Sequence, residues 1–328
     1  MSPAGPSPPS SSTAPWSRPD LSGKVALVAG ATRGAGHAIA RSLAECGTTV
    51  YCTGRSVPGA PGMVGRPETI QETEQIIRAA GGAGVAVPTD HSDPPAVRRL
   101  VERIETEEGR LDVLVNSIWG ANPLTQWGKR FWEHDLDMGL RLLRQGVETH
   151  IITAHACAPL LVRAGGLLVE VGDGTNEDNQ AYRENLFYDL AKVSVNRLAF
   201  ALHAELAPHG AAAIAVTPGF LRSEEMLDHF GVTEPTWRDA IAKDPYFADS
   251  ETPHYLGRGV AHLVADPAAR QRGGDCISSA EAARIYGFTD VDGRTPDFAD
   301  ALRRYRAERA APKQAGAKTH SWQAPQGP

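Results

Sequence analysis

The chain has 328 residues, 41% of them hydrophobic and 22% charged, and its 39 acidic side chains against 33 basic ones give a formal net charge of −6. That length and apolar content allow one large α/β domain or two small ones, and no basic excess points to a nucleic acid or an anionic membrane. Cys46, Cys52, Cys157 and Cys276 form no CxxC pair and sit beside no histidine cluster, which argues against a zinc site or a disulfide framework and suits a reducing, cytoplasmic compartment.

From the N-terminus, Met1–Pro19 is rich in Pro, Ser and Ala and lacks the charged-then-apolar pattern of a signal peptide. It is expected to be a disordered leader, residues 1–19, and Ala311–Pro328 reads the same way. Lys24–Ala29 is a short apolar run ending at glycine, the pattern of a buried strand. The turn Gly30-Ala31-Thr32-Arg33-Gly34-Ala35-Gly36 follows, and helical spacing runs from Gly36 to Cys46. Thr48–Thr53 is a second strand, Gly54–Pro67 a Pro/Gly-rich loop, Glu68–Ala80 a helix and Gly84–Pro88 a third strand. Asp93 is expected to cap a helix that begins with Pro94 and Pro95 and runs to Glu108. A fourth strand at Leu111–Val115 precedes a long helical stretch ending near Arg163. Leu167–Val171 is a fifth strand, Leu186–His209 a helix and Ala211–Val216 a sixth strand. Residues 220–255 read as short helices forming a substrate lid. A helix at Tyr255–Ala265 and a short strand near Cys276–Ser278 close the domain. No apolar run approaches the ~18–20 residues needed to span a bilayer.

Strands alternating with helices predict an α/β fold, a single Rossmann-type doubly wound parallel sheet with helices on both faces. The domain is expected over residues 20–290, with a C-terminal helix and tail over 291–328.

Two groups of residues carry chemistry. In the glycine turn, Gly30, Gly34 and Gly36 permit a tight bend, and the following helix N-terminus offers amide donors to a pyrophosphate. The spacing is GxxxGxG rather than the commoner GxGxxG. The second strand ends in Cys52-Thr53-Gly54-Arg55-Ser56, with none of the acids that hold the ribose hydroxyls of NAD. Arg33 and Arg55 together suit a 2′-phosphate, so the expected cofactor is NADPH/NADP+. The second group is Tyr188 and Lys192, four residues apart and hence on one helix face. An ammonium and an oxidised nicotinamide near a phenol would lower its pKa and let Tyr188 act as a general acid toward a carbonyl oxygen.

The order and spacing of these residues resemble the short-chain dehydrogenase/reductase family over roughly residues 20 to 280. The matching positions are Gly30, Gly34 and Gly36, then Asp90, Asn116, Tyr188, Lys192, Pro218 and Gly219. The resemblance implies that Asp90 contacts adenine, Asn116 supports the cofactor and Lys192 also binds the nicotinamide ribose. It places Ser223 where the family often uses Thr on the carboxamide, and Thr32 within the cofactor turn. It further implies a small-molecule substrate, reduction of a ketone or aldehyde, and a homo-dimer or tetramer built through the long helices.

Three departures stand out. After the fourth strand the family's Asn-Asn-Ala-Gly is replaced by Asn116-Ser117-Ile118-Trp119-Gly120, so Trp119 is a candidate pocket residue. The family's substrate-binding Ser has two candidate replacements. Counting from the fifth strand gives Asp173, whereas counting back from Tyr188 gives Thr175. Thr175 keeps a hydroxyl donor and is preferred, whereas an ionised Asp173 would only accept hydrogen bonds and would suit a cationic substrate such as an iminium. The family's helix Asn has no clear counterpart, the alignment falling near Gly146. Imine or enone reduction, and a cofactor-binding protein with catalysis lost, are the competing readings. His150, His155 and His254 read as structural, and Trp119, Trp127, Trp132, Tyr182, Phe187 and Phe220 as core or pocket wall.

Overall fold

Seven apolar runs form strands: β1 (Val25–Ala29), β2 (Thr49–Gly54), β3 (Ala83–Pro88), β4 (Val113–Asn116), β5 (Leu167–Val171), β6 (Ala212–Thr217) and β7 (Cys276–Ser278). In the computed structural model, which describes residues 16–60, 62 and 65–310, they lie in one sheet in the order β3-β2-β1-β4-β5-β6-β7. Every neighbouring pair is parallel. The crossovers are helical: α1 (Gly34–Glu45), α2 (Ile70–Ala79), α3 (Pro94–Glu108), α4 (Leu136–Leu143) continuing into α5 (Thr149–Ala164), and α6 (Leu186–Leu206). Beyond β6 come α7 (Glu224–Phe230), α8 (Pro253–Ala265), α9 (Ser279–Tyr286) and α10 (Phe298–Ala310).

Both faces of the sheet are covered because successive side chains of a strand point to opposite sides. Ala26 and Val28 of β1 join one apolar cluster, with Ile39 and Leu43 of α1 and Val260 of α8. Val25 and Leu27 join the other, with Leu100 of α3, Leu161 of α5 and Leu206 of α6. Each fully buried Leu or Ile in these layers contributes about 2 kcal/mol of transfer free energy before entropy is counted.

Local signals explain several ends. Thr69 and Glu72 form a capping box on α2, the Thr69 hydroxyl accepting from the Glu72 amide at 3.3 Å and the Glu72 carboxylate from the Thr69 amide at 2.7 Å. Asp93 stands at the N-cap of α3, but its carboxylate makes no cap hydrogen bond there. Trp16, assigned from sequence to the leader, is docked: its indole N–H donates to His262 Nε2 at 3.1 Å and its ring lies against Arg258. Packing among the described residues therefore extends upstream of residue 20, as far as Trp16. The rest of the expected leader and the segment 311–328 lie outside the described residues. Residues 220–255 hold α7 and two short 3-10 segments, Glu234–Ala242 and Pro245–Asp249. This region is clamped by Arg222, which is buried and bound to Glu234, Asp292 and the carbonyl of Ser250. α10 packs back on it through Tyr305, whose hydroxyl donates to Asp249 at 3.0 Å.

Leu136 and Leu140 of α4, Ile151 of α5, and Leu190 and Phe200 of α6 are exposed, on the long helices through which the expected dimer or tetramer would be built. Among the described residues no helix is long and apolar enough to cross a membrane.

The site is positioned by the strand ends. Ala29 pairs with Thr53 on one side and Asn116 on the other, so β1, β2 and β4 finish level. The strand order reverses between β1 and β4, and a crevice opens outside their carboxyl ends.

Candidate active site

A cleft of about 470 Å³ occupies that crevice, lined by Gly30, Thr32, Arg33 and Gly34 at one end and by Asp173, Lys192, Pro218 and Gly219 at the other. Two glycines of the turn, Gly30 and Gly36, leave no room for a side chain. A Cβ on Gly30 would lie 2.3 Å from the Ser117 carbonyl oxygen, and Gly30 has φ +84°. A Cβ on Gly36 would lie 2.1 Å from the Gly30 carbonyl oxygen. The first turn of α1 is thereby pressed onto the end of β1, leaving its N-terminal amides facing the cleft. The Gly34 amide donates to Glu224 Oε2 of α7 at 2.9 Å, so a carboxylate from the 220–255 region sits where an anion is favoured.

Arg33, Arg55 and Ser56 line the same end. The acid nearest Arg33 is Glu68, 3.9 Å away, but Glu68 is held by Arg66 at 2.7 Å and does not line the cleft. Asp90 follows β3 and lines the cleft, one oxygen accepting from the Ser92 amide and hydroxyl. Burial opposes its ionisation, but those two hydrogen bonds prevail and hold the carboxyl below its ordinary value. Asn116 is buried and turned inward, donating to Glu170 Oε1 at 2.8 Å, so it supports the loop after β4 from beneath. Ser223 lines the cleft and caps α7, its hydroxyl accepting from the Met226 amide at 3.3 Å.

Behind Gly219 lies a buried acid. Glu251 accepts from the Gly219 amide at 3.0 Å and the Ser279 hydroxyl at 2.6 Å. Burial pushes its pKa up to about 8, against the opposing pull of those hydrogen bonds. The folded state therefore holds a proton that the unfolded chain releases at an ordinary value of 4.5. Stability is expected to fall as pH rises from that value through about 8, where the folded-state carboxyl ionises. Denaturation midpoints across this range should show the slope, and Glu251→Gln should flatten it; an unchanged slope in the variant would assign it elsewhere.

At the other end, Asn185 caps α6 by accepting from the Tyr188 amide at 3.0 Å. This fixes Tyr188 and Lys192 on the first turns of the helix. The Tyr188 hydroxyl donates to Asp173 Oδ2 at 2.9 Å, and Lys192 Nζ lies 3.9 Å from the same oxygen. Lys192 Nζ also sits 3.6 Å from the centroid of the Trp119 ring. Trp127 and Trp119 flank the phenol, with centroid distances of 5.0 and 5.7 Å.

This geometry corrects one expectation. Asp173, and not Thr175, is the group beside Tyr188. The Thr175 hydroxyl donates to Asp178 Oδ2 at 2.9 Å in a local turn, and Thr175 does not line the cleft. Burial, then the charge and hydrogen bond of Asp173, raise the Tyr188 pKa well above its ordinary value. Burial lowers that of Lys192, with Asp173 opposing.

The missing helix Asn has a steric explanation. Gly146 lies in a single π-helical turn, Arg144–Glu148, between α4 and α5. A Cβ there would stand 2.8 Å from Trp119 Cζ3, so the glycine makes room for the indole. His150, read from sequence as structural, lines the cleft and pairs with buried Glu170 while its Nε2 meets the Ile118 carbonyl at 3.0 Å. Burial alone would lower the His150 pKa, but Glu170 prevails and raises it. The legible signal was Glu170 itself, a charge inside the apolar strand Leu167–Val171.

The family model described as short chain dehydrogenase matches residues 24–230. Dehydrogenase/reductase SDR family member 1 of Mus musculus is 33% identical over 280 residues, covering 84% of this chain and 85% of that protein. The chain belongs to the short-chain dehydrogenase/reductase family. Another relative in the family, a 7alpha-hydroxysteroid dehydrogenase of Clostridium sardiniense, is 29% identical over 64% of this chain and 77% of that one. A short-chain type dehydrogenase/reductase from Mycobacterium marinum superposes with a TM-score of 0.62 at 25% identity, covering 79% of this chain and 94% of that structure. As a short-chain dehydrogenase/reductase the chain is an oxidoreductase of a family that uses nicotinamide cofactors, and a turn with no room for a Cβ at Gly30 or Gly36 fits such a dinucleotide.

Proposed function

We propose that the chain is an NADPH-dependent reductase that adds hydride to a polarised double bond of a small or mid-sized organic molecule. A ketone or aldehyde carbonyl is the class the family resemblance suggests. The observation that carries the reading is the convergence of Asp173 and Lys192, with Tyr188 hydrogen-bonded behind them, on the cleft whose opposite end is the glycine turn.

The bound dihydronicotinamide would supply the hydride. The chain's residues divide the remaining work. Gly30, Thr32, Gly34 and Gly36 would cradle the pyrophosphate, Arg33 and Arg55 would grip the 2′-phosphate, and Asp90 would meet the adenine. Lys192 would hold the nicotinamide ribose, with Pro218, Gly219 and Ser223 at the carboxamide end. Asn116 would brace the loop between the two ends. Tyr188 holds the proton that a carbonyl oxygen would need, and Asp173 competes for it. The 7alpha-hydroxysteroid dehydrogenase among the relatives supports chemistry at a carbinol or carbonyl carbon.

The NADPH assignment rests on two arginines with no ribose-binding acid between them. Removing both side chains, Arg33→Ala with Arg55→Ala, is expected to weaken NADPH binding by about 10- to 100-fold, the loss of one or two charge-assisted hydrogen bonds. NADH binding should be almost unchanged. Titration of each cofactor against tryptophan fluorescence gives both constants. Equal losses for the two cofactors would remove the 2′-phosphate from the account.

A further inference from the structure

We infer that Asp173 selects a substrate carrying positive charge at the reacting bond, a protonated imine, so that the reaction run in this cleft is reduction of C=N to an amine. The inference rests on the reading above of the Tyr188–Lys192 end as the place of hydride delivery, and it names the bond.

The geometry argues from three sides. First, Asp173 occupies the position beside Tyr188 from which a substrate heteroatom would be held, and its side chain is 48% exposed. A carbonyl oxygen gains negative charge as hydride arrives, and a carboxylate beside it opposes that charge. An iminium nitrogen is charged at the outset and can donate its N–H to Asp173. Second, the one phenolic proton is already given to Asp173 at 2.9 Å. Carbonyl reduction has to draw that proton away, whereas iminium reduction needs none during hydride transfer. Third, the walls are aromatic. Trp119, Phe220 and Phe298 line the cleft, and an aromatic face attracts a cation.

Two other cations approach Asp173, and neither hydrogen-bonds its carboxylate. The Arg183 guanidinium is directed to the Asp173 backbone carbonyl, to Asn179 and to Asp189 rather than to the carboxylate. Lys192 Nζ makes a loose ion pair with Oδ2 at 3.9 Å, beyond hydrogen-bond range.

The step balances without a proton donor. Hydride adds to carbon with its electron pair, the C=N π pair moves to nitrogen, and a neutral amine forms. A bound dihydronicotinamide would be the reductant and would leave as the oxidised cation, and the amine would then take a proton from water. Asp173 serves the step by keeping the imine protonated at neutral pH, where the free imine is only partly so, and the transition state retains part of that charge.

Dihydroisoquinoline and tetralone share a skeleton and differ in the reacting bond. With the full chain and NADPH, dihydroisoquinoline should be reduced in preference to tetralone. Asp173→Asn keeps the size of the side chain and removes the charge, and should lower kcat/KM for the imine by about 100-fold. Asp173→Ser should do the same and raise tetralone turnover by about tenfold or more. Binding gives a second readout: tetrahydroisoquinoline, protonated at neutral pH, should quench tryptophan fluorescence of the wild-type protein with NADP+ and lose about 100-fold in affinity in Asp173→Asn. Thermal unfolding confirms that each variant is folded. Tetralone turnover with no imine preference, and no effect of Asp173→Asn on imine or amine, would overturn the inference and leave the reductase reading standing. Absence of turnover with both probes, despite tight NADPH binding, would overturn both.

Discussion

Tyr188→Phe is expected to lower ketone and aldehyde reduction by about three orders of magnitude, the contribution of a positioned general acid. Imine reduction should fall only about tenfold, because an iminium takes no proton from the phenol during hydride transfer. The ring stays between Trp119 and Trp127, so packing is preserved and only the hydroxyl is lost. NADPH affinity should hold, since the Tyr188 hydroxyl is bonded to Asp173 rather than directed to the glycine turn. Steady-state kcat/KM for each substrate class, with NADPH binding measured separately, distinguishes loss of chemistry from loss of cofactor. A variant that reduces ketones as fast as the wild type would remove Tyr188 from the proton-transfer role.

Gly36→Ala is expected to have the largest effect on the fold. Its Cβ would stand 2.1 Å from the Gly30 carbonyl oxygen and 3.2 Å from Ala31 Cα, both backbone atoms that no side-chain rotation can move aside. The α1 N-terminus must shift away from β1, at a cost of about 3 kcal/mol or more. The shift also spoils the cradle, so NADPH binding should fall by about 100-fold. Gly34→Ala is the internal control. Its φ is +56°, yet a Cβ there meets nothing nearer than 3.8 Å, so only the positive-φ cost of about 1 kcal/mol applies. Urea denaturation should rank the two variants in that order. Equal stabilities would mean that the turn is looser than its contacts indicate.

Much of this architecture was legible because its signals are local. Runs such as Val25–Ala29 and Ala212–Thr217 announce buried strands, and alternation of strand with helix dictates a parallel sheet. The glycine turn and the Tyr188–Lys192 spacing are properties of single segments. What escaped depends on contacts between segments distant in the chain. Asp173 and Thr175 could not be separated by counting, since the loop from β5 to α6 varies in length; the choice is made by which side chain reaches Tyr188 and which turns back on its own loop. Gly146 read as a lost Asn until its contact with Trp119, from another segment, explained the absence. Glu251, behind Gly219, lies in a segment that carries no strong periodic pattern. Phe298 of α10 also lines the cleft, although sequence assigned its segment to a region outside the domain.

The central claim is hydride transfer from NADPH within this cleft. The most direct measurement supplies NADPH deuterated at the transferring C4 position with a panel of ketones, aldehydes, enones and cyclic imines, and reads deuterium in the product by mass spectrometry. The account predicts one deuterium on the reduced carbon of at least one class, cyclic imines foremost. NADPH that binds tightly and is never consumed, with no labelled product from any class, would contradict it and leave a cofactor-binding protein on the same fold.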